Sequence, residues 1–335
     1  MTTVNIITAN DHYDSILRQL PSDGIKDFQF VINKEGECDV IVVFEYAKHD
    51  IHVKCAPENL WLWSMEPPDE EWEWLRKGFK YFSKIVTIDE NLQHKKIINN
   101  QLAIPWQIEK SYDKLNIENY FSHKKKALSF ITSNYDRRKG HRVRLKFLKK
   151  IQGRLSFDLW GRGFNPLDDK SEGLIPYKYT IVAENSQYKN YWSEKLADAF
   201  LCGCLPIYYG CPNINEYFPE ESLIKIDIKK PAEAIKIINC AIKNGEWEKR
   251  RHLIEEARKK ILNQYQFFNV LLDLLQKHGI SKSEKQEIFI PQLSHHPSII
   301  NPYSLSRNYY LVKKRLFKKQ YLNLESPYFG FTTYK

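Results

Sequence analysis

Short apolar runs alternate with segments of helical periodicity along most of the chain. A run of about five apolar residues bounded by polar residues is typical of a buried strand, and apolar residues three or four positions apart are typical of one helix face. Strands that alternate with helices in this way favour a parallel α/β fold. The pattern predicts strands at residues 4–8, 28–32, 39–45, 59–65, 84–88, 127–132, 157–160, 179–183, 205–209 and 222–228, and helices at 13–20, 141–151, 194–202, 231–244 and across much of 247–276.

The segment 177–212 joins two of these strands by a polar loop and a helix. Glu184 and Asn185 break the apolar run with residues that favour turns. Ser193 is a suitable N-cap for the helix that follows. In such a unit the loop and the helix N-terminus lie beyond the carboxyl ends of the strands, where free backbone N–H groups favour an anion. Glu194 and Lys195 fall in that first helical turn.

A carboxylate follows the apolar run that contains Trp61 and Trp63. Glu66 precedes two prolines, which hold the backbone extended and end the sheet, so it should lie at the carboxyl end of a strand. A solvated loop acid is the alternative, since most glutamates are exposed. Trp72 and Trp74 alternate with acids just beyond, as in sugar sites, although such a pair is also common in a core or an interface.

The segment from residue 124 to residue 150 contains eleven Lys and Arg and one acid. A solvated helix face explains most of these charges. A nucleic-acid-binding surface is a second explanation, but the sequence contains no recognisable nucleic-acid-binding module. A third is diphosphate binding, for which the bidentate geometry of arginine is suited and Arg137, Arg138 and Arg142 are candidates.

Composition limits the class of protein. The chain has 335 residues, 42% of them hydrophobic, with a formal net charge of +10, which suggests a polyanionic partner such as nucleic acid, an acidic membrane surface or a phosphorylated small molecule. Its six cysteines lie mostly in apolar runs and are interpreted as reduced and buried, because Cys202, Cys204 and Cys211 lack the paired spacing of zinc sites. No signal peptide and no apolar run of about 20 residues is seen, so we expect a protein that is soluble or peripherally attached.

Three regions are expected from these patterns. Residues 1–122 would form one α/β domain, residues 123–285 a second, and residues 286–335 a basic tail, with a polar linker at 111–126. Within the tail, residues 304–322 have an amphipathic pattern rich in Lys and Arg, which suggests contact with an anionic membrane surface. A C-terminal helix that is packed on the body of the protein or partly disordered is the equal alternative.

The chain resembles the α1,3/4-fucosyltransferases of glycosyltransferase family ten, of bacterial type. The stretches YKYTIVAENS, YWSEKLADAF and LPIYYGCPNI resemble the donor-binding signature of that family, in which an asparagine precedes a lysine by ten residues, as Asn185 precedes Lys195. Weaker likeness runs through LWGRG, SNYDRRKGHRVRL and WLWSMEPP. The resemblance implies a GT-B architecture of two Rossmann-like domains facing a cleft, with the acceptor on the N-terminal domain and the donor, GDP-fucose, on the C-terminal domain.

The resemblance also implies an inverting transfer and a role for each candidate residue. Glu66 is the expected general base, and Lys195 with Arg142 would stabilise the leaving diphosphate; the length of the loop leaves Arg138 as an alternative to Arg142. Negative charge that develops on a leaving group needs fixed positive groups, and no Asp-x-Asp metal sequence occurs in the chain, so no metal site is expected and a divalent metal would be at most stimulatory. The remaining donor-binding candidates are Asn185, Tyr191, Glu194 at the ribose, Glu184 near the fucose, and Tyr179; the acceptor-binding candidates are Trp63, Trp72 and Trp74.

Eukaryotic members of the family carry a membrane anchor and a stem, which we do not expect in this protein. We therefore expect a bacterial enzyme of the cytoplasm, either free or attached to the inner face of the membrane, that acts on O3 of an N-acetylglucosamine residue in a surface glycan such as lipopolysaccharide O-antigen, and has no nucleic-acid partner. A different GDP-sugar or acceptor with the same fold and mechanism is the first alternative. A non-catalytic polyanion-binding protein is the remote one.

Overall fold

The protein forms two structural units. The computed structural model describes residues 1–8, 10–293 and 332–333, with only the backbone of residues 10–12, 70, 71, 332 and 333. Of these described residues, unit 1 contains those within 1–10, 26–100 and 278–335, and unit 2 contains 11–25 and 101–277.

Unit 1 is built mainly from β-strands. They are β1 (Thr2–Ile7), β2 (Phe28–Ile32), β3 (Gly36–Glu37), β4 (Val40–Phe44), β5 (Ile51–Cys55), β6 (Leu60–Trp63), β7 (Lys84–Thr87), β8 (Leu92–Gln93), β9 (Ile97–Asn99), β15 (Gln286–Ile290) and β16 (Thr332–Thr333), and a 3₁₀ segment spans Glu70–Tyr81. Six of them form a parallel sheet in the order β2-β1-β4-β6-β7-β9. Strand β4 is apolar and buried along its whole length, as expected for an inner strand covered on both faces. A three-stranded sheet, β15-β5-β3, and the pair β16-β8 complete the described strands.

Unit 2 combines a second sheet with helices. Its strands are β10 (Lys126–Ile131), β11 (Asp158–Trp160), β12 (Tyr177–Ala183), β13 (Leu205–Tyr209) and β14 (Ile224–Lys225); the helices are α1 (Asn10–Leu17), α2 (Tyr112–Ile117), α3 (Lys139–Ile151), α4 (Glu194–Leu201), α5 (Pro231–Lys243), α6 (Glu246–Lys249), α7 (Arg251–Lys260) and α8 (Phe267–His278). The sheet is parallel, in the order β11-β10-β12-β13-β14, so its second strand lies outside its first. Helix α4 lies between β12 and β13 in sequence, and its inward face of Leu196, Phe200 and their neighbours is buried.

The predicted α/β class is confirmed, but three segments differ from expectation. The supposed linker 111–126 contains α2, capped by the Ser111 side chain, and its Leu115 and Phe121 are buried in the core of unit 2. The segment 11–25 belongs to unit 2, where the Gln19 side chain accepts a hydrogen bond from the backbone N–H of Phe267 at 2.9 Å. Hydrophobic periodicity describes residues that are close in sequence, so it does not predict a hydrogen bond between residues this far apart.

The third difference is at the start of the expected tail. Residues 286–290 form β15, which pairs antiparallel with β5 and buries Ile290, so this part of the expected tail 286–335 belongs to unit 1. The segment 304–322 lies outside the described residues. No described helix is long and apolar enough to span a bilayer.

The cysteines are free thiols, as predicted, and five of the six are buried. Burial raises the pKa of the Cys202 and Cys204 thiols. Both therefore behave as small core side chains. Among the described residues, no group of three or more His, Cys, Asp or Glu side chains could hold a metal ion.

Candidate functional site

The order of strands in unit 2 defines where a ligand site is expected. The chain leaves β10 toward β11 on one side and later returns to β12 on the other, so the loops after β10 and β12 diverge at this point of the sheet. Ligands of parallel α/β sheets bind at such a switch point, beyond the carboxyl ends of the strands. The loops at 132–138 and 184–193 meet this condition.

A buried carboxylate organises the loop after β12. Glu184 is 1% exposed, and its side chain accepts hydrogen bonds from the Ser193 backbone N–H at 2.9 Å and from the Ser193 hydroxyl at 2.6 Å. The same Ser193 hydroxyl accepts a hydrogen bond from the backbone N–H of Lys195 and caps α4, as predicted. Glu184 therefore fixes the N-terminus of α4, a structural role in addition to any contact with a sugar.

Lys195 lies between two carboxylates. Its Nζ is 3.6 Å from Glu184 Oε2, 3.0 Å from Glu194 Oε1 and 3.1 Å from the Ser193 hydroxyl. Burial opposes ionisation of Glu194, but Lys195 and Lys170 outweigh this and lower the pKa of Glu194 to about 2. Burial raises the pKa of Glu184 despite Lys195. The two carboxylates thus compensate the charge of the Lys195 ammonium group, and a quarter of the Lys195 side chain is exposed.

The ion network continues along α4 to the segment that precedes α2. Lys170 Nζ lies 3.7 Å from Glu194 Oε1 and 3.4 Å from Asp198 Oδ2. Asp198 Oδ1 accepts hydrogen bonds from the backbone N–H groups of Gln107 and Ile108. Burial raises the pKa of Asp198 to about 6. One helix therefore carries the charged groups at its N-terminus and holds residues 107–108 one turn later.

The N-terminal turn of α3 meets this loop directly. Arg144, 5% exposed, donates from Nη1 to Asn185 Oδ1 at 2.7 Å. A Cβ at Gly140 would lie 1.8 Å from the Asn185 carbonyl oxygen, so only glycine permits this approach. His141 is buried beside them, 9% exposed, with the Tyr135 ring edge-on at 4.8 Å. Sequence reasoning selected Asn185 but not His141 or Arg144.

The structure does not bring every donor candidate to this site. The Arg142 guanidinium donates to the backbone carbonyls of Asp136 and Arg137 on the exposed side of α3, and Arg138 is the residue before that helix. Tyr191 is buried near Arg144. Tyr179 is placed elsewhere: its hydroxyl donates to the Ala241 carbonyl and accepts from the Trp247 backbone N–H, which is a packing role inside the core.

The acceptor candidates all lie in unit 1. Glu66 follows β6 and is half-buried at the wall of a shallow surface pocket, together with Trp72, Arg76 and Asp89. Arg76 Nη2 is 2.7 Å from Asp89 Oδ2 across this wall. The Trp72 and Trp74 rings lie 6.5 Å apart and are both half-buried. Trp63 is completely buried, so it supports the sheet and has no surface for a ligand.

The chain thus has two parallel α/β units, one with the cation of Lys195 near the switch point of its sheet and the other with a pocket that contains a carboxylate and an aromatic side chain, and two α/β units are typical of the GT-B fold. A solved α1,3-fucosyltransferase in complex with GDP-fucose has this fold, with a TM-score of 0.50 and 16% identity over 84% of this chain and 91% of that one. An α-glucosyltransferase in complex with UDP gives a TM-score of 0.53 and 9% identity over 82% of this chain and all of that one. The predicted GT-B architecture is confirmed.

Sequence comparison supports the resemblance to the fucosyltransferase family over part of the chain. Residues 121–268 match the model of the glycosyltransferase family 10 (fucosyltransferase) C-terminal domain, which lies within the segment expected to bind the donor. A 4-galactosyl-N-acetylglucosaminide 3-alpha-L-fucosyltransferase from Mus musculus is 30% identical over 130 residues, which is 36% of this chain and 35% of that protein. The match thus spans about a third of the length of this relative.

Proposed function

We propose that the protein is a fucosyltransferase that transfers fucose from GDP-fucose to a hydroxyl of a glycan acceptor with inversion at the anomeric carbon. The observation that carries the proposal is the arrangement around Lys195: a cation at a helix N-terminus, at the switch point of a sheet, within the segment that matches the fucosyltransferase family. Backbone N–H groups and a fixed cation are suited to a diphosphate.

In the proposed reaction Glu66 accepts the proton of the acceptor hydroxyl while that oxygen attacks the anomeric carbon of the sugar. The bond between this carbon and the β-phosphate oxygen breaks, and GDP leaves with the electron pair. Lys195, with the arginines of the 138–144 segment, stabilises the charge that develops on the diphosphate, because a cation already in place needs no reorganisation. Glu194 accepts hydrogen bonds from the ribose hydroxyls.

Divalent metal is at most stimulatory in this proposal. The positive groups near the switch point, Lys195, Lys170 and Arg144, belong to the chain itself. They supply positive charge where a metal would otherwise be needed. Chelation with EDTA should therefore leave most of the transfer rate, and complete loss that Mg²⁺ or Mn²⁺ restores would contradict this part of the proposal.

The proposed acceptor is an N-acetylglucosamine-containing glycan, attacked through O3. The half-buried Trp72 beside Glu66 in one pocket supports a saccharide site in unit 1, and the name of the mouse relative supports N-acetylglucosamine as part of the acceptor. A bacterial surface glycan such as lipopolysaccharide O-antigen remains the proposed natural acceptor. Attachment to the inner face of the membrane through residues 304–322 is a further part of the proposal.

The test is product formation. Purified protein with GDP-fucose and N-acetyllactosamine should release GDP and give a fucosylated product whose linkage is read by NMR. Glu66→Gln should lower turnover by roughly 10²–10⁴-fold, the range of general-base catalysis. Glu35→Gln, an exposed acid of unit 1, is the matched control and should leave turnover unchanged. Undiminished turnover in Glu66→Gln would overturn the mechanism.

A second candidate keeps the fold and the mechanism with another GDP-sugar. The fold alone does not select the donor, because the neighbour bound to UDP has a TM-score as high as that of the fucosyltransferase. A panel of GDP-fucose, GDP-mannose and UDP-glucose in the same assay distinguishes the two candidates. Product from GDP-mannose alone would favour the second.

A further inference from the structure

Two buried polar side chains on the inner face of α3 have a nitrogen without a hydrogen-bond partner among the described residues. They are His141, through Nδ1, and Arg144, through Nε, one helical turn apart. Both side chains are nine-tenths or more buried. A buried polar atom without a partner costs about 1–3 kcal/mol and is uncommon in native proteins, so each of these needs an explanation.

Four cationic side chains lie near His141. Arg142 and Arg144 are on its own helix, Arg138 is in the preceding loop, and Lys195 is on α4. The carboxylates nearby, Glu184 and Glu194, already pair with Lys195. Burial and these four cations lower the pKa of His141 to about 4, so the imidazole is neutral at ordinary pH in the free protein.

A bound anion would provide the missing hydrogen-bond acceptors and would offset the positive charge around His141. A phosphate oxygen can accept hydrogen bonds from the imidazole and the guanidinium at once, and its charge offsets that of the surrounding cations. The position fits, since α3 begins at Lys139 and its N-terminal turn contributes free N–H groups and a favourable dipole. Gly140 holds this turn against Asn185, in the same loop that leads to Lys195.

We propose that His141 and Arg144 form a proton-linked phosphate contact: the diphosphate of the nucleotide donor accepts hydrogen bonds from both side chains, and His141 takes up a proton when the donor binds. The proton comes from solvent and returns to it when the nucleotide leaves. The Tyr135 ring lies edge-on to the imidazole and is 40% exposed, and in this proposal it moves outward to admit the phosphate. The inference rests on the proposed nucleotide-sugar donor.

The first experiment uses the wild-type protein. GDP-fucose is a suitable probe because both of its phosphates are esterified and it lacks the ionisation near about pH 6 of a terminal phosphate. Calorimetric titrations in two buffers of different ionisation enthalpy, at about pH 6.5, should show uptake approaching one proton. Affinity should rise by up to roughly tenfold for each unit that the pH falls within this range. Binding without proton uptake would overturn the proposal, whatever the variants do.

The variants then locate the proton. His141→Gln keeps a polar group that does not titrate, so proton uptake should fall to near zero and the affinity should become independent of pH. His252→Gln, an exposed histidine on α7, is the matched control and should behave as wild type. Proton uptake that persists in folded His141→Gln protein would assign the linkage to another group and overturn the proposal.

Two substitutions test whether GDP-fucose binding needs the charge and the shape of the Arg144 side chain. Arg144→Gln should weaken GDP-fucose binding by roughly tenfold or more, the size expected for a charge-assisted hydrogen bond, and Arg144→Lys should restore part of the loss. Lys146→Gln, on the exposed side of the same helix, should bind as wild type. Equal affinity in Arg144→Gln and wild type would contradict the phosphate contact.

The proposed function and this inference fail in different ways. Fucosyl transfer accompanied by proton-independent binding would keep the function and remove the inference. Proton-linked binding of GDP-fucose, lost in His141→Gln, without transfer to any acceptor would keep the inference and remove the function.

Discussion

Lys195 is the residue on which the proposed chemistry depends most, and it also neutralises two carboxylates. Glu184 is completely buried and Glu194 largely so. Removal of Lys195 takes away the cation that both share, and only Glu194 keeps a second one, Lys170, at 3.7 Å. Loss of one partner of a buried ion pair destabilises a protein strongly, because the remaining charge is uncompensated.

Lys195→Ala should therefore lower both the transfer rate and the free energy of unfolding, the latter by on the order of 2 kcal/mol, since a quarter of the Lys195 side chain is exposed. The comparison is Lys178→Ala, which breaks an exposed pair with Glu248 and should cost below about 1 kcal/mol. Urea unfolding measures both. Equal stability of the two variants would show that Glu184 and Glu194 do not need this lysine.

Gly140 offers a test of the close contact between α3 and the donor loop. A methyl group there overlaps the Asn185 carbonyl, so either the helix or the loop must move. Gly140→Ala should destabilise the protein by about 1–3 kcal/mol, as overpacking does, and should weaken GDP binding. Lys139→Ala, at the exposed neighbouring position, should change neither. Normal GDP affinity in Gly140→Ala would mean that the loop adapts without loss.

Hydrophobic periodicity predicts which face of α3 holds Arg142 and Arg144, but it does not predict their hydrogen-bond partners. Phe147, Leu148 and Ile151 mark the buried face of α3, and Arg144 lies three and four residues before the first two, on the same face. This spacing is present in the sequence and places Arg144 inside and Arg142 outside. The hydrogen bond from Arg144 to Asn185 cannot be predicted from this spacing, because it joins two segments 41 residues apart.

At the scale of elements, α4 connects the donor loop to residues 107–108 through Asp198. Its folded pKa of about 6 lies above the ordinary value of 3.8, so the folded state holds the proton more tightly than the unfolded state. The resulting stability is fully present below about pH 3.8 and is lost as the pH rises through about 6. The difference in pKa corresponds to at most about 3 kcal/mol.

Asp198→Asn should remove this contribution while an amide oxygen still accepts from Gln107. The free energy of unfolding of the wild type should fall relative to that of the variant between about pH 4 and pH 6. Asp273→Asn, an exposed position on α8, should leave the wild-type pH profile unchanged. Parallel profiles for wild type and Asp198→Asn would show that Asp198 does not titrate in this range.

Strand β15 tests how far unit 1 depends on the chain after α8. Ile290 is 1% exposed, whereas its neighbour Phe289 is 50% exposed on the opposite face of the strand. Ile290→Ala should cost about 2–4 kcal/mol in urea unfolding, and Phe289→Ala considerably less. Similar costs for the two variants would indicate that β15 contributes little to unit 1.

At the scale of the whole molecule, hydrophobic periodicity predicts most elements and the α/β class, and the turn and cap residues of segment 177–212 locate the donor loop. Strands 28–32 and 205–209 agree with the prediction to the residue. The assignment of residues 11–25 to unit 2 and of β15 to unit 1 was not predicted. Both depend on contacts between distant segments, such as the hydrogen bond between Gln19 and Phe267. Hydrophobic periodicity does not predict such contacts, because it indicates only which face of an element is buried.

The division into units leads to the last prediction. The proposed donor-binding residues lie in unit 2, and Glu66 and Trp72 lie in unit 1. A ligand stabilises the part of the protein that it binds, by about 2.7 kcal/mol at a concentration one hundred times its Kd. If calorimetry resolves two transitions, Ile290→Ala identifies that of unit 1 by lowering its temperature. GDP should then raise mainly the other transition, and UDP should raise it less. A GDP-dependent shift confined to the transition that Ile290→Ala lowers would place the nucleotide in unit 1 and contradict the proposed donor site.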